Sequence, residues 1–90
     1  LLPSRQLLDI ANQLAGDGKH AESALAYEQF LAHYGNYEHV EQIELMLGII
    51  YSRYLGQPES AAKHLEVAVK KLTDPGQLKM CEEELARLRQ

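Results

Sequence analysis

Apolar residues recur along the chain at spacings of three and four, which is the period of an α-helix and not the alternation of a β-strand. Four turn-forming clusters divide this pattern into five segments: Gly16-Asp17-Gly18, Gly35-Asn36, Gly56, and Thr73 to Gly76. The apolar stripes of the segments are Leu7, Ile10, Ala11 and Leu14; Ser23, Tyr27, Phe30, Leu31 and Tyr34; Val40, Ile43, Leu47, Tyr51 and Tyr54; Ala61, Leu65, Ala68 and Leu72; and Leu78, Cys81, Leu85 and Leu88. The pattern predicts five helices joined by short turns and no strand.

Residues at the predicted helix starts are suited to those positions. Ser4 is placed to act as N-cap of a first helix over residues 5–15, because its hydroxyl accepts from an amide that has no partner within the helix. Pro58 and Pro75 fit the first turn of their helices, where a missing N–H costs nothing. Thr73 or Asp74 is expected to cap the last helix.

Two segments of the chain resemble the tetratricopeptide signature, W-x2-L-G-x2-Y followed by A-x3-F and P with a period near 34 residues. The second copy reads Glu44-x2-Leu47-Gly48-x2-Tyr51, then Ala61-x3-Leu65 and Ala68. The first, weaker copy reads Leu7-x2-Ile10-Ala11-x2-Leu14, then Ser23-x3-Tyr27-x2-Phe30, with Gly35 where proline is usual. The spacing between the copies is a few residues longer than the period of the family.

This resemblance implies an all-α domain over residues 1–90, built as a right-handed stack of two tetratricopeptide-like hairpins and a capping helix. The hairpins would be residues 5–35 and 38–72, and the capping helix residues 75–89. Small residues at Ala11, Gly48, Ser23 and Ala61 would let paired helices approach closely. An ordinary five-helix bundle is the alternative architecture.

In the tetratricopeptide family the first helix of each repeat lines a groove that holds a peptide. Carried over by position, this groove would be formed by Arg5, Leu8, Asp9, Asn12 and Ala15 together with Gln42, Leu45, Met46, Ile49, Ser52 and Arg53. Six of these are the candidate partner-binding residues: Leu8, Asn12, Leu45, Met46, Ile49 and Arg53. A subset of the family clamps a terminal carboxylate, but Leu8 and Leu45 stand where that clamp needs lysine or asparagine.

Two interpretations of this apolar face stay open. It is an exposed groove that takes a partner helix or an extended apolar segment, or it is core, covered by the fifth helix or by Leu1-Leu2-Pro3. The first interpretation, an exposed groove, predicts a non-catalytic protein-interaction or scaffolding module. Self-association of two copies through the same face is the alternative, and an enzyme or metal-binding domain is a remote one.

Composition narrows the classes of function. The formal net charge of −4 offers no electrostatic footprint for nucleic acid. One cysteine makes no internal disulfide, and no apolar run is long enough to span a bilayer, which fits a cytoplasmic chain without membrane insertion. Because the chain opens with LLPSR and not with methionine, we expect a piece of a longer protein.

No residue pattern predicts a catalytic, cofactor or metal site. The four histidines lie in separate segments, and His39 with Glu38, Glu41 and Glu44 is more typical of a solvated helix start than of metal ligands. Cys81 lies on an apolar seam, where a buried thiol behaves as a small hydrophobic group. The run Glu82-Glu83-Glu84 is interpreted as a solvated charged face, as are the neighbouring residues Lys79, Arg87 and Arg89.

A second and looser resemblance covers the segment YEQFLAHYGNYEHVEQIELMLGIIYSRYLGQPESAAKHLEVAV. It looks like the soluble helical tail that follows the membrane domain in some bacterial rhomboid-family intramembrane proteases. The catalytic serine and histidine of that family lie in transmembrane helices, which have no counterpart here. The resemblance implies a non-catalytic appendage, tethered on the cytoplasmic side by the parent chain.

Overall fold

The computed structural model describes residues 2–90, and all of their regular structure is α-helical. The helices are α1 (Ser4–Gly16), α2 (His20–His33), α3 (Val40–Arg53), α4 (Pro58–Lys71) and α5 (Pro75–Leu88). The all-α prediction, with two helical hairpins and a fifth helix, is confirmed. No helix in residues 2–90 has the length and apolar character that crossing a membrane requires.

Two of the predicted helix boundaries are confirmed in detail and one is wrong. Asp74 caps α5 by accepting a hydrogen bond from the Gln77 amide at 2.9 Å, and Pro58 lies in the first turn of α4. Ser4, however, is already the first residue of α1, and the residue before it, Pro3, occupies the N-cap position without a side-chain hydrogen bond. Gly18 and Gly56 adopt positive φ where the chain leaves α1 and α3.

The chain divides into two compact units, Leu1–Val40 and Glu41–Gln90. Leu1 itself, part of the predicted apolar cover of residues 1–3, lies outside the described residues. The predicted single domain over residues 1–90 stays a prediction, and the two units are described separately.

In the first unit α1 and α2 pack as a hairpin around buried Leu7, Ala11, Tyr27 and Phe30. The Ser23 hydroxyl donates to the Ala11 carbonyl at 3.2 Å, which ties the two helices together at their small residues. Ile10 is exposed although the sequence pattern places it in the buried stripe. It lies about 60° from Leu7 around the helix, at the edge of the arc that Leu7, Ala11 and Leu14 define.

In the second unit one apolar core joins α3, α4 and α5. Its buried members are Leu45, Leu65, Ala68, Leu72, Cys81 and Leu85, and partly buried side chains such as Ile49 and Leu88 pack against them. A Cβ at Gly48 would overlap the side chain of Leu65, so the glycine permits the close approach of α3 to α4. The predicted inward seam of α5 and the small residues of this hairpin are both confirmed.

Candidate binding groove

The described part of the second unit contains a cavity of about 310 Å³ between α3 and α5. Its lining residues are Gln42, Leu45, Met46, Ile49, Arg53, Gln77 and Met80. We call this cavity the α3–α5 groove. Five of the seven side chains come from α3, at positions that follow the helical period, so they share one face of that helix.

The groove has a fixed apolar part and an exposed apolar part. Leu45 is only 6% exposed and belongs to the core of the unit, and Ile49 is partly buried against the same core. Met46 and Met80, in contrast, are 41% and 39% exposed. Unbranched methionine side chains adapt to different partners, so these two can adjust to what lies against them while the core beneath them stays fixed.

One end of the groove is crossed by a neutral amide pair. The Nε2 of Gln42 donates to Oε1 of Gln77, and the Nε2 of Gln77 donates back to Oε1 of Gln42, both at 2.8 Å. This reciprocal pair connects the N-terminal turn of α3 to the N-terminal turn of α5. It satisfies two amide groups without placing any charge in the groove.

The other end of the groove is an ionic cluster centred on Glu84. This carboxylate is 3% exposed and accepts hydrogen bonds from the Ser52 hydroxyl at 2.5 Å, from the Arg53 guanidinium at 3.1 Å and from Arg87. Arg87 also donates to the Ser52 hydroxyl at 2.6 Å. The cluster fixes the C-terminal turn of α3 to α5 at the point where the apolar lining ends.

The surroundings of Glu84 favour its ionised form and shift its pKa accordingly. Burial raises the pKa of this carboxyl, but hydrogen bonds from Ser52, Arg87 and Arg53, together with the charge of Arg53, outweigh burial and lower the pKa to about 2. The same contact raises the pKa of Arg53. Both groups are therefore ionised at neutral pH.

The six candidate partner-binding residues are divided between the two units, and their grouping as one face stays a prediction. Leu45, Met46, Ile49 and Arg53 line the α3–α5 groove. Leu8 instead lines a cavity of about 380 Å³ in the first unit, with Ser4, Arg5, Phe30, Tyr37 and Glu38. Asn12 accepts a hydrogen bond from the Tyr27 hydroxyl, which gives its side chain a role in holding α1 to α2.

The two open interpretations of the apolar face describe different residues. Leu45 is core, as the interpretation with the fifth helix as cover supposes, whereas Met46 is exposed as a groove residue should be. Leu2, from the segment that is the other possible cover, has its carbonyl bound by the Tyr34 hydroxyl at 2.8 Å in the first unit.

Sequence reasoning missed the α5 side of the groove and misread Glu84. The interpretation of Glu84 as part of a solvated charge run is wrong, although Glu82 and Glu83 are exposed as expected. One signal was present, since Glu84 lies three residues after Cys81 and four before Leu88, on the inward seam of α5. An acid on an apolar seam needs a cationic partner, and Arg53 and Arg87 supply it.

A second buried polar contact joins α3 to α4. The Nδ1 of His64 lies 2.5 Å from Oε1 of Glu44, and the Tyr51 ring stacks on the imidazole with centroids 5.7 Å apart. Both side chains of the pair are mostly buried. The sequence singled out neither residue for this role, and the contact explains how the polar groups are accommodated inside the hairpin.

The remaining candidates for chemistry have structural explanations. Cys81 is fully buried and its Sγ donates to the Leu65 carbonyl at 3.3 Å. Burial, with a smaller contribution from Glu82, raises the pKa of Cys81, so the thiol stays protonated at neutral pH. Within residues 2–90 no three metal-ligating side chains come together, and His39 contacts Glu38 at the surface at 3.5 Å.

Comparisons with protein-family models, with curated proteins and with solved structures found no match to this chain. The tetratricopeptide and rhomboid resemblances therefore stay predictions. The described residues define an all-α fold whose second unit has an apolar cavity between α3 and α5.

Proposed function

We propose that this chain is a non-catalytic protein-interaction module that binds a segment of a partner protein in the α3–α5 groove. The observation that carries the proposal is the pair of exposed methionines, Met46 on α3 and Met80 on α5, which line one cavity together with the core residue Leu45. Adaptable apolar side chains over a rigid base are suited to a partner helix or an extended apolar segment.

The chemistry of the groove favours binding over catalysis. The only ionisable side chain in its lining is Arg53, which stays charged at every physiological pH. A general acid or base needs a pKa near the working pH, and a nucleophile needs a partner to activate it. The lining, with an amide pair at one end, apolar side chains in the middle and Arg53 at the other end, matches the apolar centre and polar ends of a peptide-binding surface.

The test is a selection of 12-residue random peptides displayed on phage against the immobilised protein. Labelled copies of the enriched peptides are then titrated by fluorescence polarisation. We expect Met46→Glu to weaken their binding about 10-fold or more, because it places a charge on the apolar wall without disturbing the core. Ile10→Glu, an equally exposed apolar residue in the first unit, is the control and is expected to bind as the parent does.

Circular dichroism of both variants establishes that helicity is retained. Leu45 is unsuitable for such a substitution, since it belongs to the core and a charge there unfolds the unit. The proposal fails if no peptide is enriched, or if Met46→Glu binds the enriched peptides as tightly as the parent.

The tetratricopeptide resemblance adds a context to this proposal. A repeat-type module is typically one part of a larger assembly protein. The looser resemblance implies that this larger protein is a rhomboid-family protease with the module on the cytoplasmic side. The sequence preceding Leu1 in the gene tests this. Several apolar runs of about 20 residues with a Gly-x-Ser-Gly motif support the protease, and a continued repeat contradicts it.

A further inference from the structure

We infer that the segment bound in the α3–α5 groove carries an acidic side chain at one end of its apolar stretch, and that this carboxylate pairs with Arg53. The inference rests on the proposed function and assigns the chemistry and the orientation of the partner. It commits to an apolar segment with one acidic end as the occupant of the groove.

The charge of the groove lies at one of its ends. Among the seven lining residues Arg53 is the one charged side chain, and none of the seven is a carboxylate. The opposite end is the neutral Gln42–Gln77 pair. The one formal charge of the lining therefore lies at the end of the groove formed by the C-terminal turn of α3.

The ionic cluster does not neutralise that positive end. One carboxylate, Glu84, faces two guanidinium groups, so the contacts among these three residues leave one positive charge in excess. Arg53 binds Glu84 through its Nε at 3.4 Å and its Nη2 at 3.1 Å, and its side chain is still 55% exposed. A guanidinium has five N–H donors, so Arg53 retains capacity for a second carboxylate.

Glu84 also prepares Arg53 for binding. A free arginine side chain loses rotamer freedom when it pairs with a partner, and that loss subtracts from affinity. Here the contact with Glu84 already holds the guanidinium at the end of the groove. An incoming carboxylate meets a donor group that is largely ordered before binding.

A second copy of this chain is a poorer occupant. A two-fold contact through the groove brings each lining residue against lining residues of the other copy. Because the lining contains a cation and no anion, Arg53 of each copy would be covered without a carboxylate from the facing lining. Covering Arg53 takes the N–H donors that Glu84 does not bind out of water without a charged acceptor, which is costly and favours a different partner that supplies the acid.

The length of the groove sets the spacing in the partner. Gln42 and Arg53 lie three helical turns apart on α3, about 16 Å at 1.5 Å per residue. A partner helix of about 11 residues, or an extended segment of about 5, covers that distance. We therefore expect the acidic residue at the end of a short apolar motif and not at its centre.

The experiment is a double-mutant cycle on the peptides enriched by phage display. Each enriched peptide is compared with its Glu→Gln or Asp→Asn form, on the parent protein and on Arg53→Gln. We expect enriched peptides to share an acidic residue at one end of the apolar motif, and its amide form to bind the parent about 5-fold more weakly. On Arg53→Gln the two forms are expected to bind equally.

Two further variants make the result specific. Arg53→Lys retains the charge and is expected to keep part of the preference for the acidic form, with stronger weakening by salt than the amide peptide shows. Arg89→Gln removes an arginine that pairs with Glu66 away from the groove, and is expected to keep the full preference. Circular dichroism verifies the fold of all three.

The possible outcomes separate this inference from the proposed function. If peptides bind and Met46→Glu weakens them, but the acidic and amide forms bind the parent equally, the inference is overturned and the binding function stands. The inference is also overturned if the preference persists in Arg53→Gln. If no peptide is enriched, both proposals fail together.

Discussion

Glu84 shows what a single buried charge requires of its surroundings. Three neighbouring side chains donate hydrogen bonds to a carboxylate that is almost fully removed from water. Breaking such an arrangement by removing one partner is far more costly than losing a surface ion pair, because the remaining charge is left buried. The cluster therefore governs how the second unit responds to acid.

We predict that Glu84 makes stability depend on pH between about 4.5 and about 2. Its folded pKa of about 2 lies below its ordinary value of 4.5, so its contribution is fully present above pH 4.5 and is lost as the pH falls toward 2. The contribution at neutral pH is about 3 kcal/mol of unfolding free energy. Urea denaturation at a series of pH values measures it.

Glu84→Gln is expected to lower stability at pH 7 and to flatten the acid limb of the curve. Glu83→Gln is the matched control, because it changes an exposed neighbour on the same helix and should leave the acid limb as in the parent. An acid limb that Glu84→Gln leaves unchanged would show that other carboxylates carry the pH dependence.

At the scale of the element, the helical spacing of apolar residues and the turn-forming residues between the segments were sufficient to locate all five helices. Asp74 and Pro75 define the start of α5 because the cap and the first turn demand residues of these types. The same reasoning failed at Ser4, where Pro3 takes the N-cap position. Ser4 and Pro3 are both acceptable near a helix start, and the hydrogen bond from the Leu7 amide to the Pro3 carbonyl decides between the two adjacent positions. The sequence alone therefore does not fix the start of α1.

The approach of α3 to α4 depends on a glycine. We predict that Gly48→Ala lowers the free energy of unfolding by about 1–3 kcal/mol, because its methyl group overlaps the buried Leu65 side chain and forces the helices to shift. Thermal or urea denaturation measures the loss.

Gly16→Ala provides the comparison within the same protein. Gly16 also lies in a helix, but a Cβ there meets no neighbouring atom, so the substitution is expected to cause no loss. Equal effects of the two substitutions would mean that helix propensity, and not the contact with Leu65, determines the result at Gly48.

At the scale of the whole molecule, the groove was only half predictable. The α3 face was found through the tetratricopeptide resemblance, which placed Met46, Ile49 and Arg53 together on the first helix of a repeat, and these three residues line the groove. Gln77 and Met80 were missed because which helix faces α3 is a long-range property. Leu8 was grouped with α3 by analogy between repeats; it lines a cavity within the first unit, and its grouping with the α3 residues stays a prediction.

The charge of the groove leads to a prediction about assembly. We expect the isolated chain to sediment as a monomer over a wide concentration range, because self-pairing of the groove supplies no anion for Arg53. Sedimentation equilibrium measures the mass. A stable dimer that Met46→Glu dissociates would show instead that a second copy occupies the groove.

The reactivity of Cys81 can report how often the second unit opens. It is the one thiol of the chain, it has no exposed surface, and its Sγ is held against the Leu65 carbonyl. A thiol-alkylating reagent can therefore reach it only when α5 moves away from α4. The rate of alkylation therefore measures how often α5 opens. A ligand that bridges α3 and α5 is expected to slow alkylation of Cys81, and more strongly the more tightly it holds α5.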